Sequence, residues 1–165
     1  MFKNAVTEGS EQLLEKLNSH PQNVTWLNHY SIQVADWTAL SQMESICIDG
    51  TLLQLALRIH GKHVLRTSAD LFLPIWLKKH TGMSVALVGG SSSANRRASE
   101  KIHNQNLGID GFQGLRDLED NHFSGLKPFD IIVLSLGAPL QEQVASKLRK
   151  LLPKHFIFTS GGWIE

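Results

Sequence analysis

Cysteine is nearly absent: Cys47 is the single one in 165 residues, so no internal disulfide framework braces the fold and a reducing compartment suits it. Flanked by Ile46 and Ile48, this thiol reads as a small core residue; a catalytic thiolate needs an exposed, charge-stabilised setting. Long apolar runs are missing too. None reaches the ~20 residues needed to span a bilayer, and Met1 to Gly9 has no basic start followed by an apolar stretch, so neither a spanning helix nor a secretory leader is expected. Charge of one sign is scarce, with 16 Lys and Arg against 15 Asp and Glu, which gives no electrostatic ground for a nucleic-acid partner. The histidines are dispersed without the compact spacing of a metal motif, so no metal site is expected. Neither a Gly-x-x-x-x-Gly-Lys-Ser/Thr segment nor a Gly-x-Gly-x-x-Gly opening occurs, which disfavours a P-loop enzyme and an ordinary dinucleotide oxidoreductase.

What is present is an ordinary apolar content of 42%, enough for one domain over residues 1–165. Short apolar runs alternate with helical spacing. A helix over Ser10 to Leu17 ends at His20-Pro21; Val24 to Leu27 is a strand; Asp36 caps a helix through Met43; Ser45 to Ile48 is a buried strand ending at Asp49-Gly50. Thr51 to Ile59 returns to helix, Val64-Leu65 is a weak strand, and a helix over Asp70 to His80 takes Pro74 in its first turn. Val85 to Val88 is a strand, Gly89-Gly90-Ser91-Ser92-Ser93 turns into a polar helix reaching about Gln105, and Ile109 to Phe112 is a further strand. Asp117 to Lys127 reads as an irregular crossover. Ile131 to Leu136 is the strongest strand, its unbroken apolar run suiting a sheet covered on both faces, followed by a helix over Leu140 to Leu151 and a last strand from Phe156. This order predicts a Rossmann-like α/β fold, a mostly parallel sheet with helices on both faces.

Such a sheet gathers the loops after its strands at the carboxyl edge, where ligands bind. Asp49-Gly50, Gly89-Gly90, Gly137-Ala138-Pro139 and Gly161-Gly162 all fall there. Gly89-Gly90-Ser91-Ser92-Ser93 has the chemistry of a phosphate cradle, close backbone approach followed by free helix amides, although a plain strand-to-helix connection uses the same residues. Asp49 is a candidate general base or, equally, a turn or cap aspartate. The basic cluster Lys147, Arg149, Lys150, Lys154 and His155 reads as a solvated helix face, with an anionic membrane or a diphosphate as the other reading.

The ordered set Asn28, Ile48-Asp49-Gly50, Thr67-Ser68-Ala69-Asp70, Val88-Gly89-Gly90 and Leu136-Gly137-Ala138-Pro139-Leu140-Gln141-Glu142 resembles the WecG/TagA/CpsF family of bacterial glycosyltransferases over about residues 24–162. Leu140 stands where the family's Gly-x-Pro-Lys-Gln-Glu segment has Lys, Ser68 where a Gly is usual, and the arginine register around Arg66 is displaced. The resemblance implies inverting transfer of a sugar, such as an N-acetylmannosamine-type residue, from a UDP-sugar donor to a lipid-linked saccharide acceptor in surface-polysaccharide synthesis. It implies Asp49 as the catalytic base, with Asn28, Thr67, Asp70, Gly89, Gly90, Gly137, Gln141 and Glu142 on the substrate side, and no required cofactor or metal. It further implies a cytoplasmic protein at the inner face of the bacterial membrane, in peripheral contact with it, as a homo-oligomer or with a completing subunit. Family members commonly continue past the position of Glu165 through a segment with basic residues, so the 165-residue form is expected to be a poor transferase alone. A degenerate nucleotide-sugar binding protein and a nucleotide-dependent hydrolase using the same crevice are the competing readings.

Overall fold

The computed structural model describes residues 9–102, 104–109, 111 and 113–164. Six strands form one sheet: β1 (Asn23–Leu27), β2 (Ser45–Ile48), β3 (Ser84–Gly89), β4 (Gln105–Ile109), β5 (Ile131–Ser135) and β6 (Phe156–Thr159), in the spatial order β2-β1-β6-β5-β3-β4. Every pairing is parallel. The seven helices among the described residues are α1 (Ser10–Ser19), α2 (Trp37–Leu40), α3 (Thr51–Ile59), α4 (Ala69–Lys79), α5 (Ser92–Lys101), α6 (Gln113–Asp120) and α7 (Leu140–Leu151).

Side chains alternate across a pleated strand, and the buried β3 and β5 send successive residues into two separate cores. Ala86, Val88, Ile132 and Leu134 meet α2, α3, α6 and α7 on one face. Val85, Leu87, Ile131 and Val133 meet α1 and α4 on the other. Cys47 is fully buried in the second core. The expected layering, helices on both faces of a parallel sheet, is the observed one.

Several expectations change. The strand placed over Ile109 to Phe112 runs instead from Gln105 to Ile109, in register with Ser84 to Val88; Asp110 and Phe112 lie outside the described residues. It is an edge strand, so backbone pairing with one neighbour suffices, and Gln105, Asn106 and Gly108 leave no continuous apolar run to read. The preceding helix stops at Lys101, where the Asn106 Nδ2 donates to the Ser99 and Ile102 carbonyls and satisfies the helix end. Val64-Leu65 forms no strand; a single bridge joins Ile48 and Arg66, and the Thr67 amide donates to the Ile48 carbonyl at 3.0 Å. The stretch Asp117 to Lys127 is irregular only in part: Asp117 to Asp120 close α6, which buries Leu115 and Leu118, His122 and Phe123 turn with positive φ, and a short 3-10 turn over Ser124–Leu126 buries Leu126. Pro74 sits inside α4 beyond its first turn, because the helix begins at Ala69.

Polar side chains fix the helices to the sheet. The Asp36 carboxylate accepts from the Thr38 and Ala39 amides and from Gln143 Nε2 at 2.9 Å, capping α2 and tying it to α7. The Gln143 hydrogen bond, followed by that from Ala39, holds this carboxyl below its usual range, so its stabilising contribution is present above about pH 4 and fades as pH falls below that. Three residues of the C-terminal basic cluster are engaged: Arg149 donates to Glu44 at 2.8 Å and to the Pro21 and Pro153 carbonyls, Lys147 pairs with Glu119, and His155 Nε2 lies 3.3 Å from the Lys127 carbonyl.

Asn95 of α5 is buried, and its Nδ2 lies 2.8–3.0 Å from the carbonyls of Leu87, Gly89 and Ile109, joining α5, β3 and β4. Its Oδ1 occupies the space a side chain at Gly108 would need, which explains a glycine in mid-strand. Asn95→Ala is expected to lower folding stability by about 2–3 kcal/mol, because it strands buried carbonyls and opens a small void. Urea unfolding checks this, and a loss below ~0.5 kcal/mol would show that water replaces the amide without cost.

Candidate functional site

The parallel sheet brings the ends of all its strands to one edge, and the predicted residues sort there into three neighbourhoods. At the end of β2, the Asp49 amide donates to the Leu27 carbonyl at 2.7 Å, continuing the ladder with β1 for one residue past the strand. The Asp49 side chain is 27% exposed and faces Arg66, whose Nε lies 3.7 Å from Oδ1. Arg66, left without a role by its displaced register, is thus placed against the candidate base. Asn28 ends β1 alongside: its Oδ1 accepts from the Tyr30 and Ser31 amides at 2.9 and 2.8 Å, and Ser31 Oγ accepts from the Asn28 amide. Thr67 is buried beside Ile48, and Asp70 is exposed in the first turn of α4.

The second neighbourhood lies at the centre. Gln141 and Glu142, in the first turn of α7, are both 2% exposed. Glu142 Oε1 accepts from Thr25 Oγ1 at 3.0 Å and from Gln141 Nε2 at 2.9 Å, Thr159 Oγ1 donates to Thr25 Oγ1 at 2.7 Å, and the Gly161 amide donates to Gln141 Oε1 at 3.1 Å. This chain of hydrogen bonds ties α7 to β1 and to the loop after β6. Beside it, Ser135 and Ser160 hydroxyls meet at 2.7 Å. Gly137, Gly161 and Gly162 border open space, with nothing within 4 Å of where a Cβ would stand. Ala138-Pro139, next to Gly137, is a cis peptide.

The third neighbourhood is the Gly89-Gly90 loop. Gly89, at φ +118°, packs so closely that a Cβ would run into the Ser135 carbonyl, and Gly90, at φ +69°, has Ile164 3.0 Å from its Cβ position. These glycines serve loop-to-loop contact; the amides that remain for a ligand are those at the start of α5, where Ser91 Oγ accepts from the Ala94 amide at 3.3 Å. Sequence reasoning passed over Thr25, Thr159, Ser135, Ser160 and Ile164. Threonine is a common strand former, so a polar residue inside an apolar strand was the one available signal, and a weak one.

No group of three or more His, Cys, Asp or Glu among the described residues is placed to hold a metal ion. No helix among the described residues is long and apolar enough to cross a membrane. A cavity of about 470 Å³ lies between α4 and α5 beside Trp163 and Ile164, with Lys78, Arg97 and Lys101 on its wall and none of the candidate residues in its lining.

With this geometry in place, comparison with known proteins adds a family. Residues 4–165 match the model of the glycosyl transferase WecG/TagA/CpsF family. A similar protein is the UDP-Gal:alpha-D-GlcNAc-diphosphoundecaprenol beta-1,4-galactosyltransferase of Shigella boydii, 29% identical over 153 residues, which are 85% of this chain and 65% of that protein. The chain therefore spans just under two thirds of that relative's length.

Glu142→Ala is expected to destabilise the fold by about 2–4 kcal/mol, since Thr25 and Gln141 lose their buried acceptor. Glu142→Gln, which keeps a carbonyl oxygen in that position, is expected to recover at least half of the loss. Chemical denaturation of both variants decides it: equal losses would show that the charge, not the acceptor, matters.

Proposed function

The chain belongs to the WecG/TagA/CpsF glycosyltransferase family, and on that premise we propose that it transfers a hexose or N-acetylhexosamine from a UDP donor to a lipid-linked saccharide, with Asp49 as the general base. The observation that carries this reading is the position of Asp49, a partly exposed carboxylate at the carboxyl end of a parallel strand, beside Asn28 and Arg66 and clear of the buried network. In the proposed step Asp49 takes the proton of an acceptor hydroxyl, the freed oxygen attacks the anomeric carbon, and UDP leaves from the opposite face. A single displacement of this kind inverts the linkage. The similar enzyme makes a beta-1,4 linkage from UDP-Gal; an identity of 29% leaves the donor sugar of this chain a matter for experiment, with N-acetylmannosamine and galactose as the first two to try.

The strand order constrains where the donor lies. Asp49 on β2 and Gly89 on β3 are separated by β1, β6 and β5, four strand spacings or roughly 19 Å. The anomeric carbon is bonded directly to the diphosphate, so that diphosphate cannot sit on the Gly89-Gly90 loop while Asp49 reaches the acceptor oxygen. The open glycines after β6 and β5 are nearer, at two and three spacings, roughly 10 and 14 Å. We therefore assign the diphosphate to the Gly137 and Gly161-Gly162 loops and the nucleoside end to the Gly89-Gly90 side and the start of α5. Gln141 and Glu142 support that floor from below. The work site belongs to the bacterial envelope on this reading, at the cytoplasmic membrane face where a lipid-linked acceptor is reached, and no cofactor enters the step.

The test is a panel of UDP-sugars with lipid-linked saccharide acceptors, followed by product mass spectrometry. Sugar transfer to the acceptor supports the reading, whereas release of free sugar alone makes the protein a hydrolase, and saturable UDP binding without either product makes it a binding protein. Asp49→Asn is expected to keep UDP affinity within about threefold while lowering kcat by about 10²- to 10⁴-fold. Near-wild-type turnover in a folded variant, with chemistry rate-limiting, would remove Asp49 as the base.

A further inference from the structure

Helix α3 leaves the carboxyl edge directly after Asp49 and shows apolar side chains on two faces. Leu53 and Leu57 point inward, the first buried and the second packed against the core formed with α2, α6 and α7. Leu52, Leu55, Ala56 and Ile59, at spacings i, i+3, i+4 and i+7, form a second stripe that faces outward. Leu52 is 61%, Leu55 54% and Ile59 75% exposed, and Leu65 in the loop beyond is 58% exposed. A surface helix ordinarily carries polar residues on that side; one that is apolar there has a partner.

Charge identifies the partner. From Gly50 through Ala69 the sequence contains no Asp or Glu, while Arg58, Lys62 and Arg66 are all cationic. Arg58 and Lys62 are exposed, with no acidic partner among the described residues, and follow the apolar stripe at the end of α3. An outward stripe of leucine and isoleucine bordered by unpaired cations suits a surface that is apolar within and anionic at its rim, which is an acidic lipid bilayer. A second copy of the chain would bring the same cations against themselves, so like charges oppose that occupant.

We propose that α3 and the loop to Arg66 form a docking surface for an anionic lipid bilayer, with α3 lying along the interface and its apolar stripe in the headgroup region. The helix has nine residues, about 13.5 Å at 1.5 Å each, so one face of it reaches the lipid along its whole length. Its first residue follows Gly50, and Asp49 is thereby held at the lipid interface. That Asp49 there meets a lipid-linked acceptor rests on the function proposed above; the docking itself does not, and it needs no nucleotide.

The test is sedimentation with vesicles of 30% phosphatidylglycerol and 70% phosphatidylcholine, without donor or acceptor. Wild-type protein is expected to bind them, to bind pure phosphatidylcholine at least tenfold more weakly, and to be released as salt rises. The variant L55Q/I59Q, altered only at exposed positions, is expected to lose at least tenfold in partitioning with an unchanged circular dichroism spectrum and unfolding midpoint. Arg58→Gln and Lys62→Gln are expected to weaken binding about fivefold each. Asp49→Asn is expected to bind vesicles like wild type, so a failure of the catalytic reading stays separate from a failure of this one. The proposal is overturned if wild-type protein ignores anionic vesicles, or if L55Q/I59Q binds them as well as wild type does. It is also overturned if ultracentrifugation shows a dimer that L55Q/I59Q dissociates while vesicle binding is unaltered, for then a second copy covers the stripe.

Discussion

One buried carboxylate sets how the centre of the sheet meets the helix above it. Glu142 receives Thr25 from β1 and Gln141 from its own helix, Thr159 of β6 reaches it through Thr25, and Gln141 in turn holds the Gly161 amide. A carboxylate withdrawn from water is tolerable only where donors converge on it, so the arrangement demands that β1, β6 and the start of α7 keep one relative position. The open glycines of the loops after β5 and β6 flank this network. Their shape is therefore decided from beneath, by side chains that do not themselves face the cleft.

The all-parallel order supplies the second constraint. It sends every strand end to the same edge, but spreads those ends over the width of the sheet, so residues that look equivalent in sequence are not equivalent in place. Asp49 sits near one end of that row and Gly89 near the other. A ligand reaching from one to the other must cross β1, β6 and β5, and the glycines along that row are of two kinds: Gly137, Gly161 and Gly162 border open space, while others pack against a neighbouring loop. Gly89 belongs to the latter kind, since its contact with the Ser135 carbonyl leaves no room for even a methyl group.

At the β2 end the chemistry and the surface come together. The Asp49 carboxylate, Asn28 and Arg66 occupy the start of a helix whose outward face is apolar and whose far end is basic. On the proposed function, a base that takes the proton of a lipid-anchored acceptor works close to the bilayer, and the docking surface proposed for α3 would put Asp49 there with one short element.

Much of this was legible in the residues alone. Apolar runs of four to six residues ending in glycine marked β2, β3 and β5, because strand periodicity and turn chemistry act over short spans of chain. Helix α7 runs over the expected Leu140 to Leu151, and Asp36 caps α2 as expected, although that helix stops at Leu40 and does not reach Met43. The family resemblance, carried by Asp49-Gly50 and Gly137 to Glu142, agrees with the family match over residues 4–165. Edge strand β4 and helix α6 were misread for a common reason: each is held by what it packs against rather than by its own composition, β4 through backbone pairing and Asn95, α6 through Leu115 and Leu118 under the sheet. What the residues determined unaided is the alternation of elements and the glycine-ended strands, since those follow from side-chain period and backbone freedom within a few positions. Only the tertiary structure decided that Arg66 faces Asp49, that Glu142 binds a threonine 117 positions away, and that α3 keeps a second apolar face bare. Those facts depend on which distant segments are brought into contact, and local periodicity carries no record of that.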